Sequence, residues 1–188
     1  MTKETEKDII QKILSGQTDA FAELVDRYRD PAFTLCVKIC GNHEDASDVC
    51  QEAFVKAFHS LKNFRGDAGF STWLYRIMYN ASISFLRKKK NNLMALDEAR
   101  LPELPDMETE NYWDAEENEL KQRLVKECME ELPPLDKSLL TLYYLLEHTV
   151  SDIAEITGLS ETNAKVRLHR ARLKLFERVT AKMKVQII

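Results

Sequence analysis

Glycine and proline are scarce, five of each in 188 residues. That rules out collagen-like and Pro/Gly-rich low-complexity chains. No apolar run approaches the roughly 18 residues of a membrane-spanning helix; the longest candidate, Ser138 to Leu146, ends at Glu147. The N-terminal stretch with Lys3, Glu4, Glu6, Lys7 and Asp8 lacks the apolar segment of a secretion signal. A cytoplasmic chain without membrane insertion is therefore expected. Four cysteines are too few for a disulfide framework in a chain this long. Cys36 and Cys40 sit i, i+4 on a predicted helix near His43 and Cys50, but no CxxC or CxxxxC pair supports a zinc site, so they read as small core residues and no metal is expected. A phosphate-cradling Gly-rich loop, Gly-x-Ser-x-Gly and metal or triad spacing among the four histidines are all missing. The chain is expected to have no catalytic residue and no cofactor.

What is present is core and charge. With 44% hydrophobic and 31% charged residues the chain can fold. The net charge of -4 hides a segregation. Residues 61–93 set seven basic side chains against Asp67 alone, a net +6. Residues 94–119 set ten acids against Arg100, a net -9, and residues 160–188 return to +6. Two basic blocks flanking an acidic one suit a nucleic-acid binder with two contact surfaces. The acidic stretch holds Pro102 and Pro105 and little apolar periodicity, so it reads as a linker. It could reach about 85 Å fully extended and about 28 Å as a flexible coil.

The expected fold is all-α: two small helical domains, residues 1–92 and 117–188, joined by a flexible acidic linker over 93–116. In the first domain Phe21, Leu24, Val25 and Tyr28 share a face after Thr18, an expected N-cap. Pro31 is expected to open or kink the next stretch, and Gly41 to end it. Ala46, Val49, Cys50, Ala53, Phe54, Ala57 and Leu61 mark a buried stripe, whose opposite side presents Asp45, Asp48, Gln51, Glu52 and Lys56. The loop Asn63–Phe70 offers Phe64 and Arg65 as stacking surfaces for unstacked bases, while Phe70 reads as a core anchor. Ser71 is expected to cap a helix to about Lys90, with Trp73, Leu74, Ile77, Ala81 and Phe85 on its apolar side. Arg76, Asn80, Ser84, Arg87 and Lys88 line its other face, a stripe suited to phosphate and base-edge contacts.

In the second domain Leu120, Leu124, Cys128 and Met129 form one helix face, Leu135, Leu139, Leu142, Tyr143 and Leu146 another. Val150 to Ser160 then reads as a short helix capped by Ser151, a turn at Gly158 and a new helix capped by Ser160: a helix-turn-helix. Ala164, Leu168, Ala171 and Leu175 would pack inward. Glu161, Thr162, Asn163, Lys165, Arg167, Arg170 and Lys174 would then face out, short polar side chains toward base edges and cations toward phosphates.

Glu44 to Phe54, Phe70 to Ile77 with Asn80 and Arg87, Leu132 to Ser160 and Arg167 to Arg172 together resemble bacterial RNA polymerase sigma factors of the extracytoplasmic-function group. The resemblance runs over nearly the whole chain in the family's order. It implies that Asp45, Asp48, Gln51 and Glu52 bind core RNA polymerase. It implies also that Phe64, Arg65, Arg76, Asn80, Ser84, Arg87 and Lys88 melt and capture -10 promoter DNA, and that the helix-turn-helix reads the -35 duplex. An anti-sigma factor is the further implied partner. Ser84 stands where the family often has an acid, and Asn163-Ala164 where it often has Thr-Val, so promoter preference does not carry over. The rival reading is an operator-binding regulator that acts without polymerase. It leaves the acidic helix face, the Phe64 loop and the linker without a role.

Overall fold

The computed structural model describes residues 5–90 and 119–186, and among them every regular element is helical. The expected linker over 93–116 lies outside the described residues. The described residues divide into two compact units, one N-terminal and one C-terminal.

The first unit contains α1 (Glu6–Leu14), α2 (Phe21–Cys40), α3 (His43–Ser60) and α4 (Phe70–Lys90). Thr5 and Asp8 form a reciprocal capping box at the start of α1, and the Tyr28 hydroxyl donates to the Glu6 carboxylate, tying α1 to α2. Helices α2, α3 and α4 pack on one another. Thr18 does not cap α2. It opens a single 3-10 turn, Thr18–Ala20, and the helix starts at Phe21 without a side-chain cap.

Pro31 neither opens nor breaks a helix, because α2 runs through it from Phe21 to Cys40. Proline removes one backbone donor, but Leu24, Ala32, Leu35, Cys36 and Ile39 on the same helix are buried. Burial at roughly 1.5–3 kcal/mol per large apolar side chain outweighs the missing bond. Gly41 ends α2 at φ 86, its N–H bonded to the Val37 carbonyl, a backbone state that glycine adopts without strain. Asn42 then caps α3 by accepting the Asp45 N–H at 2.9 Å.

On α4 the buried row is Leu74, Tyr75, Met78, Tyr79, Ser82, Ile83 and Leu86, while Trp73, Ile77, Ala81 and Phe85 are half-buried. The expected apolar side is thus offset by one residue, about 100° around the helix. Ser71 lies inside the first turn, since Trp73 N–H already bonds the Gly69 carbonyl.

The second unit contains α5 (Glu119–Glu130), α6 (Pro134–Leu140), a π-turn (Thr141–Leu145), α7 (Val150–Thr157) and α8 (Glu161–Gln186). Pro134 starts α6, where its missing N–H has no partner to lose. Helices α5 and α6 pack on α8. Leu124, Cys128, Leu139, Leu168, Ala171, Leu175 and Val179 are buried. The inward row Ala164, Leu168, Ala171 and Leu175 lies as the spacing predicts. Buried Lys137 donates to the Glu130 carbonyl and carboxylate at 2.9 and 3.0 Å, satisfying the end of α5. Ser160 caps α8 through the Asn163 N–H. Helix α7 is capped by Thr149, not Ser151: Thr149 accepts the Asp152 N–H and its own N–H bonds the Asp152 carboxylate. Among the described residues no helix is long and apolar enough to cross a membrane.

Candidate nucleic-acid and protein interfaces

Helix α4 presents Arg76, Asn80, Ser84, Arg87 and Lys88 to solvent. The three- and four-residue spacing stacks them along one side of the helix. Lys89, one step further round, turns away to bond Asp45 on α3. The loop before α4 carries exposed Arg65 and turns at Gly66, φ 76. Phe64 is half-buried, its ring 5.3 Å from Trp73 and 5.8 Å from Phe70. Phe70 is only 3% exposed and serves as the anchor. Phe64 therefore shows one partly open aromatic face, close in sequence to the α4 stripe, where a base can stack.

On α3 the four acidic and amide positions separate into two groups. Asp48, Gln51 and Glu52 are exposed. Asp45 is half-buried, and its carboxylate is bonded both by Lys89 and by the Asn42 amide. Those bonds, the Lys89 one foremost, hold its carboxyl below the usual carboxylate range. Asp45 thus stabilises the first unit, and the open polar face of α3 is Asp48, Gln51 and Glu52.

At the start of α8, Glu161, Thr162, Asn163 and Lys165 are exposed directly after the Gly158 turn, φ 74. Arg167 and Arg170 follow, half-buried along their stems. Lys174, further along α8, has a partner within the fold. Its ammonium bonds the Asp136 carboxylate of α6 at 2.6 Å, and Asp136 is nearly buried. Spacing places Lys174 in the outward row, and the fold adds an ion pair to Asp136 while its side chain stays half exposed.

Two further features escape the sequence. A groove of about 650 Å³ lies open between α2 and α3, lined by Phe21, Val25, Phe33, Phe54, Val55 and Phe58, with Ser47, Cys50 and Gln51 at its α3 side. Spacing places Phe54 in the buried stripe, yet it is half-buried there, one step past the true core position Ala53. In the second unit the Arg172 guanidinium lies 4.7 Å from the Tyr143 ring and 5.3 Å from Tyr144. The π-turn leaves Tyr144 and Leu145 exposed. All four cysteines lie in the core, and among the described residues no group of His, Cys, Asp or Glu is arranged to hold a metal ion.

Two family profiles match this chain, Sigma-70 region 2 over residues 24–92 and Sigma-70, region 4 over residues 122–175. The order of an α2–α4 module and a helix-turn-helix module thus defines a protein of the sigma-70 class. The ECF RNA polymerase sigma factor SigW of Bacillus subtilis (strain 168) is 32% identical over 177 residues, 88% of this chain and 92% of that protein. The ECF RNA polymerase sigma-E factor of Haemophilus influenzae is 33% identical over 183 residues, 89% of this chain and 92% of that one. In fold the chain is similar to CnrH, solved in complex with the cytosolic domain of CnrY. That match has a TM-score of 0.67 and 22% identity over 95% of this chain and 99% of the other. The sigma factor RpoE of Bartonella quintana, solved with the anti-sigma factor NepR, gives 0.64 and 19% over 85% and 96%. The chain belongs to the extracytoplasmic-function RNA polymerase sigma factors. Its function is that of a sigma factor, and an operator-binding regulator independent of polymerase is not favoured.

Proposed function

We propose that the two units divide promoter recognition between them while α3 holds core RNA polymerase. The supporting observation is the α4 stripe, where Arg76, Asn80, Ser84, Arg87 and Lys88 stand exposed in a row on one helix. Cations and amides in line follow a phosphate backbone and reach base edges. Phe64 and Arg65, just before that helix, take unstacked -10 bases, and the favourable stacking drives strand opening without covalent chemistry from this chain. The chain is accordingly not itself an enzyme.

Glu161, Thr162, Asn163 and Lys165 enter the major groove at the -35 element, with Arg167 and Arg170 on phosphates. Asp48, Gln51 and Glu52 form the polymerase-binding face, with Asp45 supporting it from below. The acidic segment over 93–116 tethers residues 1–92 to residues 117–188. The protein acts in the cytoplasm, and an anti-sigma factor that occludes these surfaces is its expected regulator, as NepR pairs with RpoE.

Charge reversal separates the surfaces. Asp48→Lys with Glu52→Lys is expected to weaken capture of core polymerase and leave binding to isolated -35 duplex intact. Arg167→Glu with Arg170→Glu is expected to do the opposite, and removing one phosphate neutralisation reduces the slope of log K on log salt by about 0.9. Equal loss in both assays from either pair overturns the assignment. Run-off transcription with core enzyme on a library of genomic fragments then identifies the promoters.

A further inference from the structure

We infer that Tyr28 is a positioning residue for the single-strand contact of Phe64, held in place by Glu6 of α1. This role rests on the reading of Phe64 as a base-stacking side chain. Helix α1 lies ahead of residue 24, where the match to Sigma-70 region 2 begins. Its contacts nonetheless lead to the loop before α4. The Tyr28 hydroxyl donates to the Glu6 carboxylate. The Tyr28 ring meets Phe70 edge to face at 5.5 Å and 61°, and Tyr75 at 6.2 Å and 79°. Phe70 in turn meets Phe64 at 5.8 Å and 90°. Trp73 packs on both, 5.3 Å from Phe64 and 5.6 Å from Phe70.

Edge-to-face packing ties the orientation of each ring to that of its neighbour. Phe70 and Tyr75 are buried, where close packing leaves a ring little room to swing. Tyr28 and Phe64 are half-buried and do have room. The orientation of Tyr28 is therefore set at its hydroxyl, by a directional, charge-assisted bond. Burial foremost, and then Glu6, pushes that hydroxyl above its ordinary value, so it remains a donor through neutral pH. A second route runs through the backbone. Helix α1 packs on the 3-10 turn Leu61–Asn63, and the Phe64 N–H bonds the Leu61 carbonyl at 3.0 Å. Helix α1 thus bears on Phe64 through both its ring and its main chain.

The consequence is pre-organisation. A base gains from stacking only where the ring already presents its face. A ring that must first be immobilised loses about two- to tenfold in affinity. The Glu6–Tyr28 bond fixes the row of rings before any strand arrives.

The experiment uses the full chain assembled with core polymerase. Its probe is a fluorescein-labelled single strand carrying the -10 segment of a promoter located by run-off transcription, and its readout is anisotropy. Tyr28→Phe and Glu6→Ala are each expected to weaken binding by about two- to tenfold. The double variant should be no weaker, since both changes remove one bond. Glu6→Gln keeps an acceptor and should recover most of the loss. In a Phe64→Ala background Tyr28→Phe should have no effect, a result that general loosening of the fold does not give. Binding to isolated -35 duplex should be unchanged throughout. A Tyr28→Phe loss that persists without Phe64 overturns the positioning role, and so does full binding by Tyr28→Phe where Phe64→Ala binds weakly. Either result leaves the Phe64 contact standing. Full binding by Phe64→Ala itself overturns that contact, and the role of Tyr28 falls with it.

Discussion

Asp45 opens α3 and Lys89 closes α4, and their side chains bond across 44 residues of sequence. The pair, with the Asn42 cap, fixes the start of α3 against the end of α4. Asn42→Ala removes the side-chain acceptor of the Asp45 N–H, a loss of about 1 kcal/mol. For a unit of this size that lowers the midpoint of thermal unfolding by about 4–8 °C. Asp45→Ala should also lower it, whereas Asp48→Ala and Glu52→Ala should not. Circular-dichroism melts beside polymerase capture make the distinction: Asp45 substitutions act through stability, Asp48 and Glu52 through the partner.

Phe64 and Phe70 touch edge to face, yet their substitutions should diverge. Phe64→Ala is expected to weaken binding of single-stranded -10 DNA by about 1–3 kcal/mol in the polymerase-bound protein, read by fluorescence anisotropy. Phe64→Tyr should restore it. Phe70→Ala removes a core side chain and should destabilise folding by about 3–5 kcal/mol. Equal effects of both on melting would remove the stacking role from Phe64.

Lys174 is held by Asp136. Lys174→Ala strands a nearly buried carboxylate and should destabilise the second unit by about 1–3 kcal/mol. The salt dependence of -35 binding should stay unchanged. If Lys174 instead neutralised a phosphate, its removal would reduce the slope by about 0.9. Asp136→Asn combined with Lys174→Ala should recover part of the stability.

His148 is buried in the second unit, and burial lowers its pKa below the ordinary 6.5, with Asp152 opposing. The unfolded chain therefore binds a proton more readily than the folded one. Stability is complete above the unfolded value and is lost as pH falls from about 6.5 toward the folded pKa. Denaturant midpoints taken between pH 7.5 and 5 should fall, and His148→Gln should flatten that part of the profile.

Several elements are legible from residue spacing. Gly41 and Gly158 sit where a left-handed turn is needed, Ser160 caps α8, and Ala164, Leu168, Ala171 and Leu175 pack inward. Caps are less legible, because a hydroxyl anywhere near a helix start can serve. Thr149 and Ser151 differ by two residues, and only the reciprocal bond to Asp152 selects Thr149. Pro31 misleads for a related reason: a local propensity against helix yields to burial along the rest of α2.

By itself the sequence determined the helical content and the division of charge into two basic blocks around an acidic one, since these depend on local periodicity and composition. The tertiary structure decided which of two adjacent apolar rows on α4 is buried, because Trp73–Ile77 and Leu74–Met78 are both apolar and lie only about 100° apart. It also decided which cations are already taken. Lys89 and Lys174 look like their neighbours in the chain, and only packing brings Asp45 and Asp136 within reach of them. Ion pairs and grooves depend on distances between residues far apart in sequence, and helical periodicity carries no information about those distances.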